Sequence, residues 1–152
     1  MEKTQQFCTF WLKDQLLGIP AEQVQEVIQL SEITPVPLVS DIVRGLINLR
    51  GQIVATVDLR RRLGIGDRPT YELTLDVIVR TSEGPVSLLV DAVGDVVEVR
   101  DETFEYPPAT LDANSRELIR GVHKLDGSLM LVLDSDKACA LPEPKEDACL
   151  TS

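Results

Sequence analysis

Histidine occurs once in the 152 residues, cysteine three times, and a glycine-rich phosphate loop not at all. With a single base, Ser-His-Asp and Cys-His chemistry have almost no material to work with. That base, His123, lies in a β-patterned segment and reads as a strand-surface histidine. The nine glycines are scattered, and neither GxxxxGK(S/T) nor GxGxxG is present, so a nucleotide cradle at a helix N-terminus has no support. Cys8, Cys139 and Cys149 form no CxxC pair. Such a set reads as reduced thiols, with Cys8 and Cys139 as small apolar packing and no metal site.

Long apolar runs are missing too. Val86 to Val90, interrupted by Ser87, falls far short of the roughly 20 residues that cross a bilayer. Met1 to Thr9 lacks the basic region and apolar stretch of a secretion signal, so a cytoplasmic location without direct membrane insertion is expected. Basic residues are outnumbered, 15 against 25 acidic ones, for a formal net charge of −10. A chain so charged repels phosphate backbones and anionic lipid, which makes nucleic acid an unexpected partner. Asp91 and Asp95 stand four apart among valines, but nothing near them supplies a nucleophile or metal ligands. They read as turn and strand-end carboxylates facing water. The expectation is a binding protein, not an enzyme, with no cofactor.

What the chain does contain is 43% hydrophobic and 26% charged residues, the balance of an ordinary globular protein. It also contains itself twice. The segment Ile42 to Asp58 returns as Leu118 to Asp134, and a shift of 76 residues superimposes Arg44, Gly45, Leu49, Gly51 and Asp58 on identical residues. A weaker echo, shifted by 69, sets Ile19 and Val24 to Ile28 on Leu88 and Val93 to Val97. The difference between the shifts is an insertion within Arg100 to Arg116, where Pro107-Pro108 marks an irregular loop. Two tandem β modules of about 60 residues follow.

In the first module, Phe7 to Leu12, Leu16 to Pro20 and Gln23 to Leu30 read as strands, and Pro35 and Pro37 break the chain. After a connection at Val39 to Arg44 with room for a helical turn, two hairpins share one design. Gly45 to Leu49 and Gln52 to Val57 flank Arg50-Gly51, while Val122 to Leu125 and Ser128 to Leu133 flank Asp126-Gly127. Asp-Gly is the purer type I′ signal, since that turn needs positive φ at both central residues. Asp58 and Asp134 each open a short helix as capping residues, the first closed by Gly64. Five or so short strands per module cannot stay open without exposing edges, so each is expected to close into a small barrel. Cores this thin predict that the barrels share one, through the valine-rich faces of Val24 to Ile28 and Val93 to Val97. The stretch 142–152 holds two prolines and no apolar periodicity and is expected to be disordered.

The run Gly45-Leu46-Ile47-Asn48-Leu49-Arg50-Gly51-Gln52-Ile53-Val54-Ala55-Thr56-Val57-Asp58-Leu59-Arg60 resembles the signature hairpin of the CheW family. The likeness extends through Val24-Gln25-Glu26-Val27, Thr34-Pro35-Val36-Pro37 and Val90-Asp91-Ala92-Val93-Gly94-Asp95-Val96, covering about residues 5–141. It implies an all-β fold of two tandem five-stranded SH3-like barrels sharing a hydrophobic core, with short helical turns. The subdomains would run roughly 7–70 and 71–141, with exchange of strands between them allowed.

The resemblance also implies a role: a scaffold joining the cytoplasmic tip of methyl-accepting chemoreceptors to the regulatory domain of a CheA-type histidine kinase, itself of the same fold. The receptor-facing groove would involve Val24, Glu26, Gly45, Arg50, Ile53, Val93 and Val96, with a Glu26–Arg50 salt bridge bracing it. The kinase would dock elsewhere, barrel end to barrel end. A related scaffold of a pathway for surface motility or gene regulation, binding mainly the kinase, is the competing expectation. Two departures stand out: Ala55, where many relatives carry proline, and the basic cluster Arg60 to Arg62. That cluster reads as a solvated helix face or as a contact for an acidic partner.

Overall fold

The computed structural model describes residues 3–29, 34, 42–65 and 75–140. Within them the protein is all-β, with two sheets joined by short helical turns. A first hairpin is made by β1 (Thr4–Leu12) and β2 (Gln15–Pro20), where the aromatic-rich pattern of β1 buries Phe7, Phe10 and Leu12 and leaves Trp11 outside. A 3₁₀ turn, Ala21–Gln23, leads to β3 (Val24–Gln29). Next come β4 (Val43–Leu49), β5 (Gln52–Asp58) and helix α1 (Leu59–Leu63). The second half supplies β6 (Leu75–Thr81), β7 (Gly84–Val90), β8 (Ala92–Arg100), the short β9 (Phe104–Glu105), α2 (Ala113–Leu118), β10 (Ile119–Leu125), β11 (Ser128–Leu133) and α3 (Ser135–Cys139).

The six-stranded sheet has the order β8-β1-β2-β11-β10-β9, the five-stranded sheet β3-β6-β7-β5-β4. Each half of the chain therefore lends its first hairpin to the other half's later strands. The sequence repeat holds in this arrangement. Shifted by 69, β1, β2 and β3 fall on β6, β7 and β8; shifted by 76, β4, β5 and α1 fall on β10, β11 and α3. Register agrees in detail: Thr56 pairs with Ser87 across β5 and β7, and the matching Val132 pairs with Gly18 across β11 and β2. A bulge lies between Val43 and Gly45, and another between Ile119 and Gly121. At Gly121 a Cβ would stand 2.2 Å from the Phe104 ring, so the close crossing of β9 demands glycine there.

The helical ends repeat as well. Asp58 accepts from Arg61 N and Asp134 from Lys137 N, each satisfying one of the free amides that open a helix. Gly64 closes α1 with φ 70°, a left-handed value glycine adopts without penalty. The segment Arg100 to Arg116 contains more than loop: a 3₁₀ turn at Asp101–Thr103, β9 and the start of α2, whose cap is Asp112.

Inside the six-stranded sheet Phe7, Val99, Met130 and Val132 cluster; inside the five-stranded one Ile47, Leu49, Val54 and Ile78 do. Four buried apolar residues apiece are little for an independent domain. Between the sheets lies the larger cluster, including Phe10, Leu17, Val57, Val79, Leu88 and Leu133 from the strands and Leu63 and Cys139 from the helices. The shared core is real, but of the faces expected for it only Val24 packs against it. Val27, Val93 and Val96 are exposed, because β3 and β8 are the end strands of their sheets, while β1, β2, β6 and β7 occupy the junction.

Two further expectations are corrected. His123 sits on β10 yet is 4% exposed, its ring packed against Phe7 and Phe104 at centroid distances of 5.5 and 5.4 Å. The type I′ geometry belongs to Arg50-Gly51, with φ 51° and 87°, whereas in Asp126-Gly127 only Gly127 turns positive. The break at Pro35 and Pro37, most of the connection before Arg44, Cys149, the boundary near 70 and the stretch 142–152 lie outside the described residues.

Candidate functional site

The type I′ tip places Arg50 at the end of the β4–β5 hairpin, and Gly51 N donates to Asn48 Oδ1 at 2.9 Å to hold the turn. From there Arg50 reaches Glu26, at a bulge of β3. Its Nη1 donates to Glu26 Oε1 at 3.1 Å and its Nη2 to Oε2, so the planar fork engages both carboxylate oxygens. In the strand order, β3 and the β4–β5 hairpin stand at opposite ends of the five-stranded sheet. A side-chain bond between them requires the sheet to curl round on itself, as a small barrel does. The Arg50 hydrogen bonds hold the Glu26 carboxyl below its usual range, and Glu26 in turn raises Arg50. Both stay charged at neutral pH.

The ion pair has exposed apolar neighbours along the chain. Ile53, on β5 just past the tip, is 63% exposed; Val27, next to Glu26 on β3, is 42% exposed. Val24 is half-buried against the shared core, and Gly45 is buried at its bulge. Val93 and Val96 stand on β8, the end strand of the other sheet, at 39% and 58% exposure. Of the seven residues singled out in the sequence, the structure brings Glu26 and Arg50 into direct contact. Val24, Gly45 and Ile53 share their sheet, and Val93 and Val96 occupy the edge of its counterpart.

Val27 was not among the seven, nor was Leu129, 58% exposed on β11. The repeat carried a signal for both: Val27 matches Val96 and Ile53 matches Leu129, so exposure at one predicts exposure at the other. The charges do not match. Where the first barrel has Glu26 and Arg50, the second has Asp95 and Asp126, two acids that cannot pair.

Asp91 does not face water as a turn carboxylate would. Arg60, 6% exposed, donates from Nε to its two oxygens at 2.9 and 3.0 Å, and Lys13 N donates to Oδ2 at 2.7 Å. The other arginines of the cluster also turn to the protein: Arg61 Nε approaches Asp58 Oδ2 at 3.9 Å, and Arg62 Nη2 donates to Lys137 O at 2.9 Å. A solvated basic face is therefore not what α1 presents.

The His123 tautomer follows from its partner. Thr103 Oγ1 donates its one proton to Arg100 O at 2.9 Å, so across the 2.8 Å contact it accepts from His123 Nδ1. Burial pushes the His123 pKa down, opposed in part by the Asp101 carboxylate. A cavity of about 240 Å³ opens beside the ring, walled by Phe7, Phe104 and Val132 with Arg120 and Asp101 also lining it. Burial pushes the Cys139 thiol up to about 12, which fits a packing role. Among the described residues no group of three or more His, Cys, Asp or Glu could hold a metal ion, and no helix is long and apolar enough to cross a membrane.

A family model described as the CheW-like domain matches residues 6–142. The chain is similar to the chemotaxis protein CheW of Thermotoga maritima, 32% identical over 129 residues covering 85% of this chain and 83% of that protein. It is likewise similar to the chemotaxis protein CheW of Treponema pallidum, 28% identical over 141 residues, 87% of this chain and 80% of that one. Among solved structures, the scaffolding protein TtCheW from Thermoanaerobacter tengcongensis superimposes with a TM-score of 0.80 at 29% identity, covering 90% of this chain and 92% of that one.

Proposed function

Because the chain belongs to the CheW-like family, we infer that it is a coupling adaptor of chemosensory signalling, holding the cytoplasmic tip of a transmembrane chemoreceptor and the regulatory domain of a CheA-type histidine kinase together. The observation that carries the receptor half of this reading is the Glu26–Arg50 pair, set on an exposed surface with Ile53 beside the tip.

A receptor tip is a helical hairpin, and such a partner needs an apolar strip for its hydrophobic stripe and a few polar groups to fix register. Ile53, Val93 and Val96 offer the strip; Val24 and Gly45 shape its floor. Arg50 spends two of its five N–H donors on Glu26 and keeps three for a carboxylate or backbone carbonyl of the receptor. Glu26 thus aims the guanidinium before the partner arrives, which lowers the ordering cost of binding.

The test is a pull-down of wild type and Arg50→Ala, read separately against a receptor-tip hairpin and the kinase regulatory domain. Receptor affinity is expected to fall about tenfold or more, with kinase binding and the folded state retained. Equal receptor binding by the two proteins would remove Arg50 from the groove.

A further inference from the structure

The chain passes between its two sheets twice. At the first passage, from β2 to β3, the 3₁₀ turn Ala21–Gln23 intervenes, and the neutral contact from Ser135 Oγ to Gln23 Oε1 ties it to α3. At the second, a single residue separates β7 from β8, and that residue is Asp91. Its amide donates to Trp11 O at 3.0 Å. Its carboxylate takes both Arg60 Nε contacts and the Lys13 amide. Four elements therefore meet at one residue: β7 and β8 on either side of it in the chain, and α1 and the tip of the β1–β2 hairpin through its carboxylate. Two of them, β7 and α1, belong to the five-stranded barrel; β8 and the β1–β2 tip belong to the six-stranded one.

The repeat shows that the fold does not require this clamp. Under the two shifts, Asp91 matches Glu22 and Arg60 matches Asp136, two acids that cannot pair. The same architecture thus stands at the first passage without a buried ion pair. Such a pair adds little net stability compared with apolar packing, because desolvation offsets the attraction, but its geometry is directional where apolar contacts are not.

We propose that Arg60 and Asp91 are positioning residues for the receptor groove, fixing the angle at which β8 leaves the five-stranded barrel. Val93 lies two residues beyond Asp91 on β8, and Val96 three further, whereas Glu26, Arg50 and Ile53 stand on the other sheet. The spacing between these two halves of the groove is set at the Asp91 corner. Neither Arg60 nor Asp91 touches the receptor in this account, which rests on the groove reading above.

The experiment replaces both charges at once, Arg60→Met with Asp91→Leu, because removing one would strand the other in the interior. Two readouts are needed: affinity for a receptor-tip hairpin, and backbone residual dipolar couplings in a weakly aligned sample. Wild type should fit one alignment tensor over both sheets. The double variant should melt close to wild type, need separate tensors for the two sheets, and bind the tip about tenfold more weakly. Should it not fold, Arg60→Lys, which keeps the charge and loses the planar fork, carries the same two readouts. One tensor with wild-type affinity would overturn the proposal, since a purely stabilising role predicts that result. If wild type itself does not bind the tip, the receptor reading falls and the couplings alone decide the role of the clamp.

Discussion

In the six-stranded sheet Gly18 pairs with Val132 and Phe7 lies on the neighbouring β1; the five-stranded sheet pairs Ser87 with Thr56 and has Asp76 at the place that matches Phe7. One barrel is thus filled by a phenyl ring that lies over β10, with Met130 packed so close to Gly18 that a Cβ there would be 2.5 Å from its sulfur. The other has a buried hydrogen bond, Ser87 Oγ to Asp76 Oδ1 at 2.6 Å. His123 matches Ile47 in the same interchange. Matched backbones with opposite interiors teach that strand order and register do not depend on which chemistry fills the barrel. They depend on the features that do repeat: the bulges, the tips and the capping aspartates.

Removing the phenyl ring is the most severe way to break this comparison. Phe7→Ala should cost about 3–5 kcal/mol in urea unfolding, because Phe7 is one of only four buried apolar residues in its cluster. A cost near 1 kcal/mol would mean the barrel collapses onto the gap. At the matching hydrogen bond, Ser87→Ala should cost about 1–3 kcal/mol by leaving Asp76 Oδ1 without that donor. If it costs more than Phe7→Ala, the polar interior and not the apolar one carries the greater share.

The smallest effect separates His123 from Ile47. The folded state lowers the His123 pKa below 6.5, so the unfolded chain takes up the proton first. Stability is then greatest above pH 6.5, declines as pH falls through that value, and levels off below the lowered folded pKa. His123→Phe, which keeps an aromatic ring against Phe7 and Phe104, should flatten this slope in denaturation curves between pH 7 and pH 5; an unchanged slope would assign it to other groups.

Much of the architecture was legible in the sequence. The repeat, the hairpin positions and the capping aspartates follow from residues whose local chemistry admits few alternatives, and the Glu26–Arg50 pair follows from the family resemblance. What was not legible depends on strands far apart in the chain. A repeat shows which residues are equivalent, not which strands pair, so the valines of β3 and β8 read as a shared core when they are sheet ends. The alternation of an apolar strand is the same whether it faces a barrel interior or the junction between barrels. Arg60 to Arg62 looked solvated because nothing local announces a carboxylate 31 residues away. The positive φ of Arg50, at a tip less suggestive than Asp-Gly, is held by the tertiary contact to Glu26 as well as by the turn.

The crossed arrangement of the hairpins bears on how the protein is made. The β1–β2 hairpin leaves the ribosome before its neighbours β8 and β11, and β11 ends at Leu133. A nascent chain must therefore keep an aromatic-rich hairpin out of wrong associations until β11 has been made. The strands of the other barrel, β3 to β7, follow one another from Val24 to Val90 and can pair before β8 is made, so a product truncated after Val90 should leave the β1–β2 hairpin without its neighbours and open to proteolysis.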